Sequence, residues 1–193
     1  AKVLYTVKNV FSTKLGDNKI KELFWKAYSD HKKKNGWTST PELGEQLAQI
    51  YGIEDGGSTF KRLLYTIPFK HYIKFGVKEM LVQLKGKALR TVLAYGDLVY
   101  QPIKVSIFSS LIDNYRVYEK LDDKMVAELS KIYENSDVFM VDDKLSNLEK
   151  FSQVMPRMKT IWFTGGPYKS DSNFKPTYTV NTISELAELL SEL

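Results

Sequence analysis

Thr91-Val92-Leu93-Ala94-Tyr95-Gly96-Asp97 decides the fold. The run from Arg90 to Tyr95 is β-branched, apolar and aromatic and stops at a glycine turn, which reads as a strand feeding a loop. The same grammar returns at Tyr115 to Tyr118, at Val138-Phe139-Met140-Val141 before Asp142-Asp143, and at Lys159 to Phe163. Between these runs the apolar spacing switches to the helical period. Tyr100 to Leu111, the face Met125, Leu129 and Ile132, and Leu145 to Val154 each predict a helix. Val77, Met80, Leu81 and Leu84 form a helical face upstream, stopped near Gly86. Thr182 to Leu193 closes the chain with Ile183, Leu186, Ala187 and Leu190 on one face. Regular alternation of strand and helix predicts an α/β fold, a Rossmann-like open parallel sheet with helices on both faces.

Working back toward the start, Lys2 to Val7 reads as a further strand. Ile20, Leu23, Phe24, Ala27 and His31 then fall on one helical stripe that ends before Asn35-Gly36. On that stripe His31 reads as a packed residue rather than a ligand. Thr38-Ser39-Thr40-Pro41-Glu42 announces another helix, with Thr40 as N-cap, Pro41 at the first helical position and Gly52 closing it. Thr59 to Ile67 predicts a short helix. The expected organisation is an α/β core domain over 1–16 and 73–193, with a small all-helical cap inserted at 17–72. The aromatic set Trp25, Trp37, Tyr65, Phe69, Tyr72 and Phe75 is expected to pack between layers or to line a cleft. The stretch Gly165 to Pro176 reads as a flexible loop.

Composition narrows the chemistry. With 43% hydrophobic and 26% charged residues, the 193-residue chain can bury a core of its own. No cysteine is present, which excludes disulfides, thiolate metal sites and cysteine nucleophiles, and two histidines rule against a histidine-rich metal centre. No apolar run approaches the roughly 20 residues of a spanning helix. A soluble, cytoplasmic protein with no membrane partner is therefore expected, and the absence of cysteine suits a heat-adapted source. The formal net charge of +5 and a pI near 9.1 permit a nucleic-acid or acidic partner without requiring one. Lys32-Lys33-Lys34 reads as a solvated helix end, where cations complement the helix dipole.

In a parallel sheet, ligands gather beyond the carboxyl ends of the strands. Here those ends are Thr6-Val7-Lys8, Ala94-Tyr95-Gly96-Asp97, the segment before Lys120 and Lys124, and Val141-Asp142-Asp143. Acids facing a lysine and a glycine turn suit a phosphate, with or without a cation. Taken with Phe75-Gly76-Val77-Lys78-Glu79-Met80-Leu81 and with Val138 to Asn147, the chain resembles the haloacid dehalogenase (HAD) superfamily over 2–12 and about 68–190.

That resemblance implies a phosphohydrolase site: an aspartate nucleophile ending the first strand, an acid/base aspartate two residues on, and a Ser or Thr after the second strand. A lysine near the third strand and acids after the fourth would hold phosphate and Mg²⁺. On this chain the nucleophile position carries Thr6 and the acid/base position carries Lys8, while the hydroxyl position carries Ala94. A threonine without an adjacent base is a poor nucleophile, and a charged lysine neither accepts a proton nor binds Mg²⁺. Lys124 matches the phosphate lysine, with Lys120 a less well-spaced candidate. Asp143 matches a metal-site acid, and the later acidic position reads Leu148, flanked by the substitutes Asp142 and Glu149. Tyr95 and Gly96 are the remaining candidate ligand contacts. Lys8 is expected to stand in for the cation by pairing with Asp143 or Asp142, because a buried carboxylate without a cation costs several kcal/mol. A plainer reading makes Asp142-Asp143 a strand-end turn and helix N-cap, and makes Asp97 a helix cap.

The expectation is a catalytically degenerate HAD-like protein that binds a phosphorylated ligand or a macromolecular partner, with no cofactor. One alternative is an active HAD-like phosphatase with an atypical site, using Mg²⁺ and a nucleophile relocated to Asp17 or Asp97. Another is a basic nucleic-acid-associated protein.

Overall fold

A computed structural model describes residues 17–35, 39–51, 58, 61–62, 65 and 69–192. The expected first strand, with Thr6 and Lys8, lies outside the described residues, as do Trp37 and most of Thr59 to Ile67. Seven α-helices and five strands are present among the described residues. Every strand pairing is parallel, as the alternation of strand and helix requires. The α/β reading holds.

Contacts divide the chain into two compact units, Ala1–Tyr72 with Thr91–Lys120, and Ile73–Arg90 with Leu121–Leu193.

In the first unit, α1 (Asp17–Asn35) and α2 (Thr40–Tyr51) pack together. Phe24, Ala27 and His31 of α1 are buried, as are Leu43, Leu47 and Ala48 of α2. His31 Nε2 lies 3.2 Å from the Glu42 carboxylate, so this histidine is a packed residue with a polar partner. The start of α2 is shifted by one residue from expectation. The Ser39 carbonyl accepts the Leu43 N–H at 2.9 Å, which makes Ser39 the cap and Thr40 the first helical residue. Strands β1 (Thr91–Tyr95) and β2 (Asn114–Tyr118) pair from Thr91↔Asn114 to Tyr95↔Tyr118. Between them a helix would run to Leu111 by periodicity alone, but the helix over Tyr100–Val105 gives way to a 3₁₀ turn at Ser106–Phe108. The Ser106 hydroxyl donates back to the Ile103 carbonyl at 2.7 Å, the local competition that shortens helices at serine. Ile103 is buried against Phe69, Val99 and Tyr100. Phe69 and Tyr100 meet edge to face at 5.7 Å.

The second unit begins with α3 (Val77–Gln83), whose N-cap Gly76 has φ of +85°. A Cβ there would come within 3.1 Å of the Ile183 side chain, so glycine is favoured by both conformation and space. With the helix over Tyr100–Val105 counted as α4, the unit continues with α5 (Asp123–Ile132), β3 (Phe139–Asp142), α6 (Leu145–Val154), β4 (Lys159–Phe163), β5 (Tyr178–Val180) and α7 (Ile183–Glu192). The strand order is β3-β4-β5, with Ile161 paired to Tyr178. Asp122 caps α5 by accepting the Met125 N–H at 2.9 Å. Met80, Ile161, Phe163, Val180 and Leu186 form the core, with Leu81, Leu84 and Ile183 packed on it.

Strand β5 has only three residues and follows Pro176, too little for alternation to register. It is fixed by a reciprocal pair in which the Thr160 N–H donates to the Thr177 hydroxyl and the Thr177 N–H to the Thr160 hydroxyl, at 3.1 and 2.9 Å. The stretch expected to be a flexible loop is tied down at several points. The Asp171 carboxylate binds Ser146, and the Ser172 hydroxyl donates to Glu149 at 2.6 Å.

Candidate functional site

Strand β1 ends in a closed arrangement. Gly96, at φ +123°, donates its N–H to the Tyr118 carbonyl at 2.8 Å and extends the β1–β2 pairing by one rung. That amide is thereby engaged within the sheet rather than offered to an anion. The Tyr95 carbonyl accepts the Gln101 side-chain amide at 3.0 Å, while the Tyr95 residue itself is exposed. Ala94 sits inside the strand opposite Val117. Asp97 is 7% exposed and accepts three main-chain N–H groups. Two are Val99 and Tyr100, at 2.8 and 2.5 Å, and the third is Thr40 at the start of α2. One carboxylate thus serves the beginnings of two helices, which the positive ends of both dipoles favour.

Strand β3 ends differently. The Asp142 carboxylate accepts the Lys144 N–H at 2.7 Å and the Asn147 side-chain amide at 3.0 Å. Burial pushes this carboxyl above the usual carboxylate range, against the lowering effect of its two hydrogen bonds, and the neighbouring Asp143 pushes in the same direction as burial. The Asp143 carbonyl accepts the Trp162 indole N–H at 3.2 Å. Its carboxylate lies against Gly166, where an added Cβ would come within 2.3 Å of a carboxylate oxygen. Side chains are excluded from that position.

Asp142 closes a strand-end turn by accepting the Lys144 N–H, as the plainer reading of this pair expects, but neither Asp142 nor Asp143 caps α6. Lys144 is the N-cap residue and makes no side-chain cap bond. Asp171, from the far side of the Gly165-Gly166 turn, does the work instead. It accepts the Ser146 N–H at 2.9 Å and the Ser146 hydroxyl at 2.6 Å, with the Lys144 ammonium 4.0 Å away. The Ser146 hydroxyl, then its N–H, hold the Asp171 carboxyl below its ordinary value. At the same turn the Lys74 ammonium donates to the Gly165 carbonyl at 2.5 Å and lies 4.9 Å over the Phe163 ring. Sequence reasoning missed Asp171 and Lys74, because each acts across a long chain separation. The Gly165-Gly166 pair was the one visible signal that something packs close to that turn.

Lys124 is exposed in the first turn of α5, the positive end of the helix, where a cation is disfavoured by roughly 0.3–1 kcal/mol. Lys120 is exposed before α5. Leu148 is fully buried in the core face of α6, and Glu149 is engaged by Ser172.

The described acids do not by themselves complete a divalent-cation site. Mg²⁺ asks for near-octahedral oxygen ligands, usually with carboxylates from more than one position. Among the described residues no group of three His, Cys, Asp or Glu side chains converges on one point. Asp142 is occupied by an amide and a main-chain N–H, and residues 1–16 hold no Asp or Glu.

The architecture has clear relatives among solved structures. One, described as a haloacid dehalogenase-like hydrolase from Burkholderia xenovorans LB400, superposes with a TM-score of 0.74 over 97% of this chain and 88% of its own, at 18% identity. The fold is that of the HAD-like hydrolases. A second relative is the HAD-hydrolase YfnB from Bacillus subtilis, described as bound to magnesium and as showing interdomain movement. It superposes with a TM-score of 0.65 at 15% identity, over 97% of this chain and 89% of its own. No protein-family model matches the sequence, and no curated protein sequence does.

Proposed function

We propose that this chain is a HAD-like protein that works by binding a phosphorylated ligand or a macromolecular partner rather than by hydrolysis. One observation carries the reading: residues 1–16 hold no Asp or Glu, so the segment that resembles the nucleophile strand offers Thr6 and Lys8 where the family uses two aspartates. A hydroxyl without a base does not attack phosphorus, and an ammonium cannot relay the proton. The perturbed Asp142 supports an exchange of metal for lysine, since a carboxylate raised by burial gains from any cation brought beside it. In this reading a cation beside Asp142 or Asp143, for which Lys8 is the sequence candidate, takes the place of the metal, and Lys124, Tyr95 and Gly96 remain the candidate ligand contacts.

The retained Asp142-Asp143 pair favours a second reading, an active phosphatase with an atypical, Mg²⁺-dependent site. A phosphate-ester hydrolysis assay with and without Mg²⁺ separates the two. The binding reading expects no turnover above buffer and no change on Asp143→Asn. Mg²⁺-dependent turnover abolished by Asp143→Asn would replace it with the enzyme reading. Inorganic phosphate binding, followed by calorimetry and lost in Lys124→Ala, would place the ligand at this strand end.

A further inference from the structure

Parallel strands cannot be joined by a hairpin, and a crossover of a dozen or more residues, usually a helix, links them instead. Between β4 and β5 the crossover, residues 164–177, forms neither helix nor strand. Both of its ends are fixed to the sheet. Thr164 donates its N–H to the Val180 carbonyl at 2.8 Å, and Thr177 is held by its reciprocal pair with Thr160. Residues 166–176 between these ends are exposed or half-buried, and none of them is buried. A crossover helix would press an apolar face onto the sheet. Here the attachment to α6 is polar: the Asp171 carboxylate accepts the Ser146 N–H and hydroxyl, and the Ser172 hydroxyl donates to Glu149. The Ser172 hydroxyl also accepts the Phe174 N–H at 2.9 Å, which ties this attachment to the outgoing chain.

The same segment lies on an acid of the candidate site. At its β4 end, Gly166 packs so closely on the Asp143 carboxylate that an added Cβ would fall 2.3 Å from an oxygen. A stretch with no buried side chain, held by solvent-facing polar bonds, opens at far less cost than the core around it. Lifting it breaks the Asp171 and Ser172 bonds and leaves the β4–β5 pairing in place. We propose that residues 166–176 form a lid over Asp143, latched by Asp171 on Ser146 and by Ser172 on Glu149, and that its opening gates access to that carboxylate. Ser146 holds the Asp171 carboxyl below its ordinary value, so the latch is ionised across the neutral range. The lid deepens the proposed reading of Asp142-Asp143 as part of a ligand site, on which its purpose rests, by supplying the regulation of that site.

Carbodiimide coupling of an amine to the carboxyl groups of the native full chain, read residue by residue by mass spectrometry, tests it without any ligand. Asp137, whose side chain is 90% exposed, is the internal reference. In the wild type, Asp143 should react on the order of tenfold more slowly than Asp137. Asp171→Ala should raise the Asp143 rate about tenfold and Ser172→Ala about threefold, the shifts in opening expected from losing charge-assisted and single hydrogen bonds. Trypsin cleavage at the exposed Lys169 and Lys175 should accelerate in parallel. Ser172→Ala leaves the first turn of α6 intact, so it separates lid opening from fraying of that helix. A wild-type Asp143 that reacts as fast as Asp137 overturns the proposal. So does an Asp143 rate indifferent to both substitutions, or a rise confined to Asp171→Ala, which marks fraying of α6 instead. Failure of inorganic phosphate to bind would strike the ligand reading and leave these rates unchanged.

Discussion

Two strand ends carry acids, and they spend them in opposite ways. After β1, Asp97 is buried and its oxygens accept three main-chain N–H groups from the beginnings of two helices. Helix-start amides replace the water it lost, and the acid is used up by the architecture. After β3, Asp142 has one main-chain N–H and one side-chain amide, and burial still outweighs them. Asp143 is pressed against a glycine that admits no side chain. The contrast separates an acid whose oxygens are taken up by main-chain donors from one on which burial outweighs its two donors. Burial alone does not make that distinction; the number and kind of donors facing each oxygen does.

Asp97→Ala offers the hardest test of this contrast. Leaving three N–H groups without their acceptor at two helix starts should cost about 3 kcal/mol, read by urea unfolding. Asp97→Asn, which keeps an acceptor oxygen, should cost less than half as much. If Ala and Asn cost the same, or Ala costs no more than an exposed cap, Asp97 is not the closed acid described above.

Gly166→Ala comes next, with a cost of about 2 kcal/mol from the clash with the Asp143 side chain. Asp143→Ala should recover much of that loss in the double variant, because the clash is with its side chain. Independent, additive costs would mean that the turn is constrained by the Asn181 carbonyl and Phe163 packed on Gly165 instead.

The smallest effects are in pH dependence, and their signs oppose one another. Asp171 has a lowered carboxyl, so its contribution is present above the ordinary carboxylate pKa, about 3.9, and is lost as pH falls through its lower folded value. Asp142 is raised, so its protonated form is favoured in the fold. Its contribution is present below about 3.9 and is lost as pH rises through the folded value. Melting curves across the acid range should therefore show Asp171→Asn losing part of the wild-type acid sensitivity. Asp142→Asn should gain on the wild type as pH rises. Parallel curves for the two variants would erase the distinction between these carboxylates.

Much of the fold was legible because it rests on periodicity. The strand Lys159 to Phe163 and the helix Leu145 to Val154 agree with expectation residue for residue. Each carries a full set of apolar positions at its own spacing, and local spacing is a property of sequence. Shorter or capped elements escaped. Strand β5 is three residues long, the helix from Tyr100 ends early at a serine, and the cap of α2 is Ser39 rather than Thr40.

The candidate site divides along the same line. Sequence by itself determined that residues 1–16 hold no Asp or Glu and that Asp142-Asp143 follows a strand-like run. Those are facts of composition and order, and no folding step alters them. Tertiary structure alone decided that Asp97 serves two helices and that Asp171 rather than Asp142 or Asp143 caps α6. Each depends on which groups compete for a donor, or for a place in the core, across distances along the chain that local pattern does not encode.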